Sequence, residues 1–101
     1  MRITEIKATN MELTPAIREY IEKKLEALEK MTAHYSPCDM SIEVGKTSNH
    51  HQKGEIWRAE FHLLLPGGGI RIERTTEDLY ASIDAAKDAM KLQLAERKDR
   101  S

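Results

Sequence analysis

The side chains whose spacing points to chemistry in this chain of 101 residues are chiefly helical lysines. On a helical wheel turning about 100° per residue, Tyr80, Asp84, Lys87, Lys91 and Lys98 fall in one row. Three lysines so aligned can follow a phosphate backbone, and Tyr80 could stack on a base or sugar. The plain alternative is a solvated flank whose lysines lie near a helix C-terminus, where the dipole favours cations. Lys24, in the run "ELTPAIREYIEKKLEALEK" (Glu12–Lys30), poses the same choice. It falls between Tyr20 and Ile17 on the wheel, inside the apolar arc. Either its stem covers apolar surface while its ammonium reaches water, or two helices lie side by side. Lys24 and Arg18 would then project near a shared groove, close to the lysine row.

Other chemistries find less support. His50 and His51 stand in a polar loop with no cysteine or carboxylate at ligand spacing, so a structural metal site is not the favoured reading. Cys38 follows Pro37 without an activating motif, and no nucleophilic pair is expected. "PGGG" (Pro66–Gly69) is followed by a strand and no Gly-Lys-Ser/Thr, so it is a turn and not a phosphate loop. Nothing marks a catalytic cleft. The sequence makes no case for an enzyme, and no cofactor is expected.

The elements that must position these residues are legible. "RITEIKA" (Arg2–Ala8) reads as a strand whose broken alternation, Ile3 and Ile6 three apart, suggests a bulge. Thr14 then Pro15 is a helix start, followed by Ile17, Ile21, Leu25 and Leu28 at helical spacing with Tyr20 at the stripe's edge. "DMSIEVGKT" alternates, with Met40, Ile42 and Val44 on one face. "EIWRAEFHLLL" alternates again: Trp57, Ala59, Phe61, Leu63 and Leu65 face inward, while Arg58, Glu60 and His62 face away. "IRIERT" follows the turn, with Ile70 and Ile72 inward. Thr75 and Asp78 have capping-box spacing. A long second helix then shows Leu79, Ile83, Ala86, Met90 and Leu94 as its stripe. The expected fold is α+β, in the order β-α-β-β-β-α. Its last three strands form an antiparallel meander, both helices pack on one face of a four-stranded sheet, and the other face is polar.

Composition bounds the partners. Hydrophobic residues make up 40% and charged residues 33%, which suits one globular domain spanning 1–101. Net charge is −1, with 16 Lys and Arg against 17 Asp and Glu. That is not the balance of a strongly basic nucleic-acid binder, so any such function must come from local patches. Residues 87–101 carry a net +2, whereas Pro15–Lys30 is neutral. No run is apolar enough for a membrane span. "MRITEIKATN" has no apolar core of a signal peptide, and one cysteine is few for a small secreted domain. A cytosolic location is the expectation, with no membrane partner.

The element order, together with "LTPAIREYIEKKLEALEK", "PGGGIRIERTTEDLYASIDAAKD" and within it "EDLYASID", resembles the ribosome hibernation factor family over almost the whole chain. This family was formerly called sigma-54 modulation protein, and it includes the short hibernation promoting factor and ribosome-associated inhibitor A. The resemblance implies a fold like the double-stranded RNA-binding domain with one added strand at the front. It also implies a bacterial stress and stationary-phase factor that binds 16S rRNA of the small (30S) ribosomal subunit at the decoding centre. There it would occupy the path of mRNA and of A- and P-site tRNA, silencing translation by occlusion. Carried over by position, Arg18 and Lys24 match basic positions of the family's first helix. Lys98 and Arg100 match the basic end of the second, and Asp78 and Tyr80 match the motif at its start. The expected rRNA contacts are Arg18, Lys24, Tyr80, Lys98 and Arg100, with Arg97 and the row residues Lys87 and Lys91.

Departures accompany the resemblance. Family members often carry a lysine at the position of Ala27, and a Lys and an Arg at those of Ala89 and Leu92. Each missing phosphate contact predicts weaker binding and a shallower salt dependence. The acidic start of the second helix, "TTEDLY", argues against generic duplex binding. Nothing resembles the linker and dimerising domain of long family members. A monomer is therefore expected, and a separate small modulation factor is the implied partner if ribosomes pair. The reading from another class is a protein-interaction module, which would dock a regulatory protein on the polar sheet face of Arg58, Glu60, His62, Arg71 and Glu73.

Overall fold

The alternating and helical stretches form the expected elements. The computed structural model describes residues 1–47 and 54–100, without the side chains of residues 99 and 100. The chain runs β1 (Arg2–Thr9), α1 (Pro15–Thr32), β2 (Asp39–Lys46), β3 (Trp57–Leu65), β4 (Gly68–Thr76) and α2 (Leu79–Arg100). The strands form one mixed sheet in the order β1-β2-β3-β4. β1 pairs parallel to β2, with α1 as the connection that parallel pairing requires. β2, β3 and β4 form the antiparallel meander.

The bulge expected in the first strand is present: the β1–β2 register shifts between Ile3 and Glu5. At the far end of that pairing, Gly45 is required by contact. A Cβ there would stand 2.0 Å from the Thr9 carbonyl oxygen. Pro66 and Gly67 form a two-residue turn between paired Leu65 and Gly68, and Gly67 takes φ +84°, which a glycine adopts without strain.

One face of the sheet is the core. Met40, Ile42 and Val44, then Ala59, Phe61, Leu63 and Leu65, and Ile72 are all buried. They meet Ile21, Leu25 and Leu28 of α1 and Leu79, Ile83, Ala86, Met90 and Leu94 of α2 in a single cluster. The period-2 and period-3.6 stripes are thus two sides of one layer contact. Ser82, the buried polar residue of α2, donates to the Trp57 carbonyl at 2.6 Å and pins the helix to β3.

Helix starts follow capping chemistry, with one correction. Thr14 accepts from the Ile17 amide at 3.2 Å, and Pro15 opens α1. For α2 the spacing suggests Thr75 as the cap, but Asp78 does the work: its carboxylate accepts from the Ala81 amide at 3.0 Å. Thr75 lies within β4, paired with Arg58, so it cannot precede the first turn. Thr76 supports the cap instead, its hydroxyl accepting from the Asp78 amide.

Candidate nucleic-acid interface

Packed on the same sheet face, α1 and α2 lie against each other and leave a groove between them. A cleft of about 660 Å³ is lined by Lys23, Lys24, Glu26, Ala27, Lys30 and Met31 of α1 and by Lys87 and Lys91 of α2. The positions follow from helical geometry. Lys23 and Lys30 are two turns apart with Ala27 between them, so they share one flank of α1, and Lys87 and Lys91 are one turn apart on α2. Ala27, with only a methyl group, leaves open the space that a longer side chain would fill.

The groove has two ends of different character. At the N-terminal end of α2, a polar cluster ties the helices together. The Tyr20 hydroxyl donates to both oxygens of Asp84, at 2.8 and 2.9 Å. Lys24 Nζ stands 3.3 Å from Asp84 Oδ1 and 5.1 Å from the centre of the Tyr20 ring. Tyr80 meets Tyr20 edge to face, with ring centres 4.7 Å apart. The Tyr20 phenol is pushed up to about 12, first by burial, then by its hydrogen bond to Asp84 and that carboxylate's charge. It therefore remains a donor throughout the physiological range.

Elsewhere in the groove, on towards its Lys30 and Lys91 end, the cations differ in how far they are engaged. Lys87 pairs with its neighbour Asp88 at 2.6 Å. Lys23, Lys30 and Lys91 form no ion pair among the described residues. An apolar strip of Met31, Leu92 and Ala95 continues from this end, and Leu92 is 61% exposed.

The residues expected from the sequence are therefore only partly assembled. Lys24, Lys87 and Lys91 share the groove, and Tyr80 stands at its head. Arg18 does not join them: it lies about 120° round α1 from Lys24, on the flank away from α2. Arg97 is also elsewhere. It falls on the core side of α2, donates to the Pro66 carbonyl at 2.7 Å and lies over the Tyr35 ring at 6.0 Å. Lys98 is exposed on the last turns of α2, and the Arg100 side chain lies outside the described residues. Lys23 and Lys30 were missed, although their seven-residue spacing on a polar flank is a readable signal.

The other candidates are resolved by burial and pairing. Cys38 is buried, and burial is the largest influence pushing its thiol up, which makes a thiolate unfavourable. His50 and His51 lie outside the described residues. Among those described, no three His, Cys, Asp or Glu side chains are placed to hold a metal. The polar sheet face is internally matched. Arg58 contacts Glu43 at 3.1 Å, Glu60 at 2.8 Å and Glu73 at 3.3 Å, and Arg71 reaches Glu60 at 3.3 Å. Hydrogen bonds from Thr9 and then Arg58 hold the Glu43 carboxyl below its usual range. Burial opposes the Arg58 charge, but bonds to Glu73 and Glu43 outweigh it and raise the guanidinium. No described helix is long and apolar enough to cross a membrane.

Against this geometry, residues 4–101 match the family model described as "Sigma 54 modulation protein / S30EA ribosomal protein". The chain belongs to that family. It is similar to the ribosome hibernation promotion factor of Deinococcus radiodurans, 35% identical over 99% of this chain and 51% of that protein. It is also similar to the ribosome hibernation promoting factor of Klebsiella oxytoca, 30% identical over 94% of this chain and 92% of that one. The chain thus spans about half the length of the first relative and most of the second. Among solved structures, the N-terminal domain of Thermus thermophilus Protein Y superposes with a TM-score of 0.70 at 37% identity, covering 93% of this chain and 96% of that one. A ribosomal subunit interface protein from Coxiella burnetii shares the fold with a TM-score of 0.80 at 23% identity, covering 98% and 99%.

Proposed function

We propose that this protein is a ribosome hibernation factor, which silences translation by binding the small ribosomal subunit through 16S rRNA. The observation that carries the reading is the basic inter-helix groove, where Lys23, Lys30, Lys87 and Lys91 line one cleft on two packed helices. Rows of ammonium groups on a rigid pair of helices fit the phosphates of a folded RNA. The names of the relatives, which refer to ribosome hibernation and to a ribosomal subunit interface, support the same partner. The mechanism is occlusion, not catalysis. Seated at the decoding centre, the domain fills the path of mRNA and of A- and P-site tRNA. Lys98, Arg100 and Arg18 would add contacts outside the groove, whereas Arg97 is engaged by the Pro66 carbonyl and Tyr35. The protein would act as a monomer in the bacterial cytoplasm, with a separate modulation factor acting where ribosomes pair.

The internally matched charges of the sheet face offer a protein partner few unpaired groups, so the groove is the better candidate surface. Sedimentation with purified ribosomes at 50 and 200 mM salt tests the proposal. Co-sedimentation that weakens as salt rises is expected. A protein left in the supernatant at both concentrations would sink it.

A further inference from the structure

We infer that Asp84 is an internal competitor for phosphate: it reserves Lys24 and leaves the phosphate track to the groove lysines that form no ion pair among the described residues, Lys23, Lys30 and Lys91. This rests on reading the groove as a phosphate site and assigns the position of the ligand within it.

The argument starts from who faces Asp84. From α1 come the Tyr20 hydroxyl, bonded to both carboxylate oxygens, and the Lys24 ammonium at 3.3 Å. On its own helix, Lys87 lies one turn on but is drawn to Asp88 at 2.6 Å, and the Asp78 carboxylate caps the helix start. The Lys24 ammonium is thus already held by a carboxylate and by the Tyr20 ring face. Neither partner is sealed in the core. The side chains of Lys24 and Asp84 are 31% and 41% exposed, so a phosphate arriving from solvent can reach this ammonium. To bind there it must displace Asp84 and then remain beside that negative charge. Glu26 lines the same cleft and Asp88 lies beside Lys91, but among the described residues neither forms an ion pair with Lys23, Lys30 or Lys91.

A purely structural role makes a different prediction. If Asp84 only ties the helices together, an amide that still accepts the Tyr20 hydrogen bond should leave polyanion binding alone, apart from the general effect of one less negative charge. The test compares wild type, Asp84→Asn, Lys24→Gln and the double variant on two readouts: elution salt from a heparin column, and ribosome binding between 50 and 200 mM salt.

Releasing Lys24 adds one phosphate contact. Asp84→Asn should then steepen the log–log salt slope by roughly 0.7 to 0.9, so that binding falls about threefold more than wild type across the fourfold salt range. In the Lys24→Gln background the same change should give a clearly smaller gain. Equal gains in both backgrounds overturn the inference. Lys24→Gln alone gives a second reading that needs no change at Asp84: because Lys24 is already occupied, the slope should stay at the wild-type value, and loss of a full contact overturns the inference. The heparin arm separates the two claims. If the coupling appears on heparin while wild type ignores ribosomes, the functional reading fails and the role of Asp84 stands.

Discussion

Replacing both Lys30 and Lys91 by alanine removes one cation from each wall of the groove without touching the core. Lys30 and Lys91 are exposed, line the same cleft and form no ion pair among the described residues. Each therefore meets solvent as an ammonium able to displace a counterion from RNA. Each phosphate contact contributes roughly 0.7 to 0.9 to the slope of log affinity against log salt, so losing two lowers the slope by about 1.4 to 1.8. Over a fourfold rise in salt, the wild-type affinity should then fall about tenfold more than that of the double variant. Surface changes of this kind alter stability by about 0.5 kcal/mol or less, and alanine is the better helix former. The far-UV circular dichroism and melting temperature should therefore be unchanged. The assay is titration of purified ribosomes at several salt concentrations between 50 and 200 mM, with both proteins measured in parallel. A double variant with the wild-type slope would show that phosphates do not lie between these helices, and the reasoning from groove to RNA would fail.

Two further outcomes follow from the fold. The Tyr20 phenol, raised from 10.0 to about 12, binds its proton more tightly folded than unfolded, so its contribution to stability is complete below pH 10 and is lost as pH rises towards 12. Urea unfolding at stepped alkaline pH should show this loss in wild type, and Tyr20→Phe should lack that component; identical pH profiles would mean that the helix latch is not formed in solution. Gly45→Ala should cost about 3 kcal/mol in urea unfolding, because the new methyl meets the Thr9 backbone and β1 must move away from β2; a loss under 1 kcal/mol would contradict the close approach of these strands.

Much of the architecture was readable because burial leaves a period in the sequence. Met40, Ile42 and Val44 alternate since a strand turns successive side chains to opposite faces, and Ile83, Ala86, Met90 and Leu94 recur at helical spacing since one flank of α2 meets that sheet. The cap of α2 was misplaced by three residues, because Thr75 and Asp78 both have capping chemistry and only the end of β4 decides between them. The lysine row on α2 was also legible, as a pattern within one element. Its partner row, Lys23 and Lys30, belongs to another helix and becomes a site only when α1 and α2 pack.

What the sequence determined by itself, then, is what depends on neighbours in the chain: the order of elements, the inward faces, the turn at Pro66 and Gly67, and the resemblance carried by "EDLYASID". Tertiary structure decided which charges are spent. Arg97 and Lys24 both read as candidate phosphate contacts in the sequence, yet one is drawn onto the Pro66 carbonyl and Tyr35, and the other onto Asp84. Arg58 is absorbed by three glutamates from three strands. Electrostatic pairing acts over a few ångströms regardless of sequence separation. Which lysines remain to meet a phosphate is therefore set by the packing of the two helices.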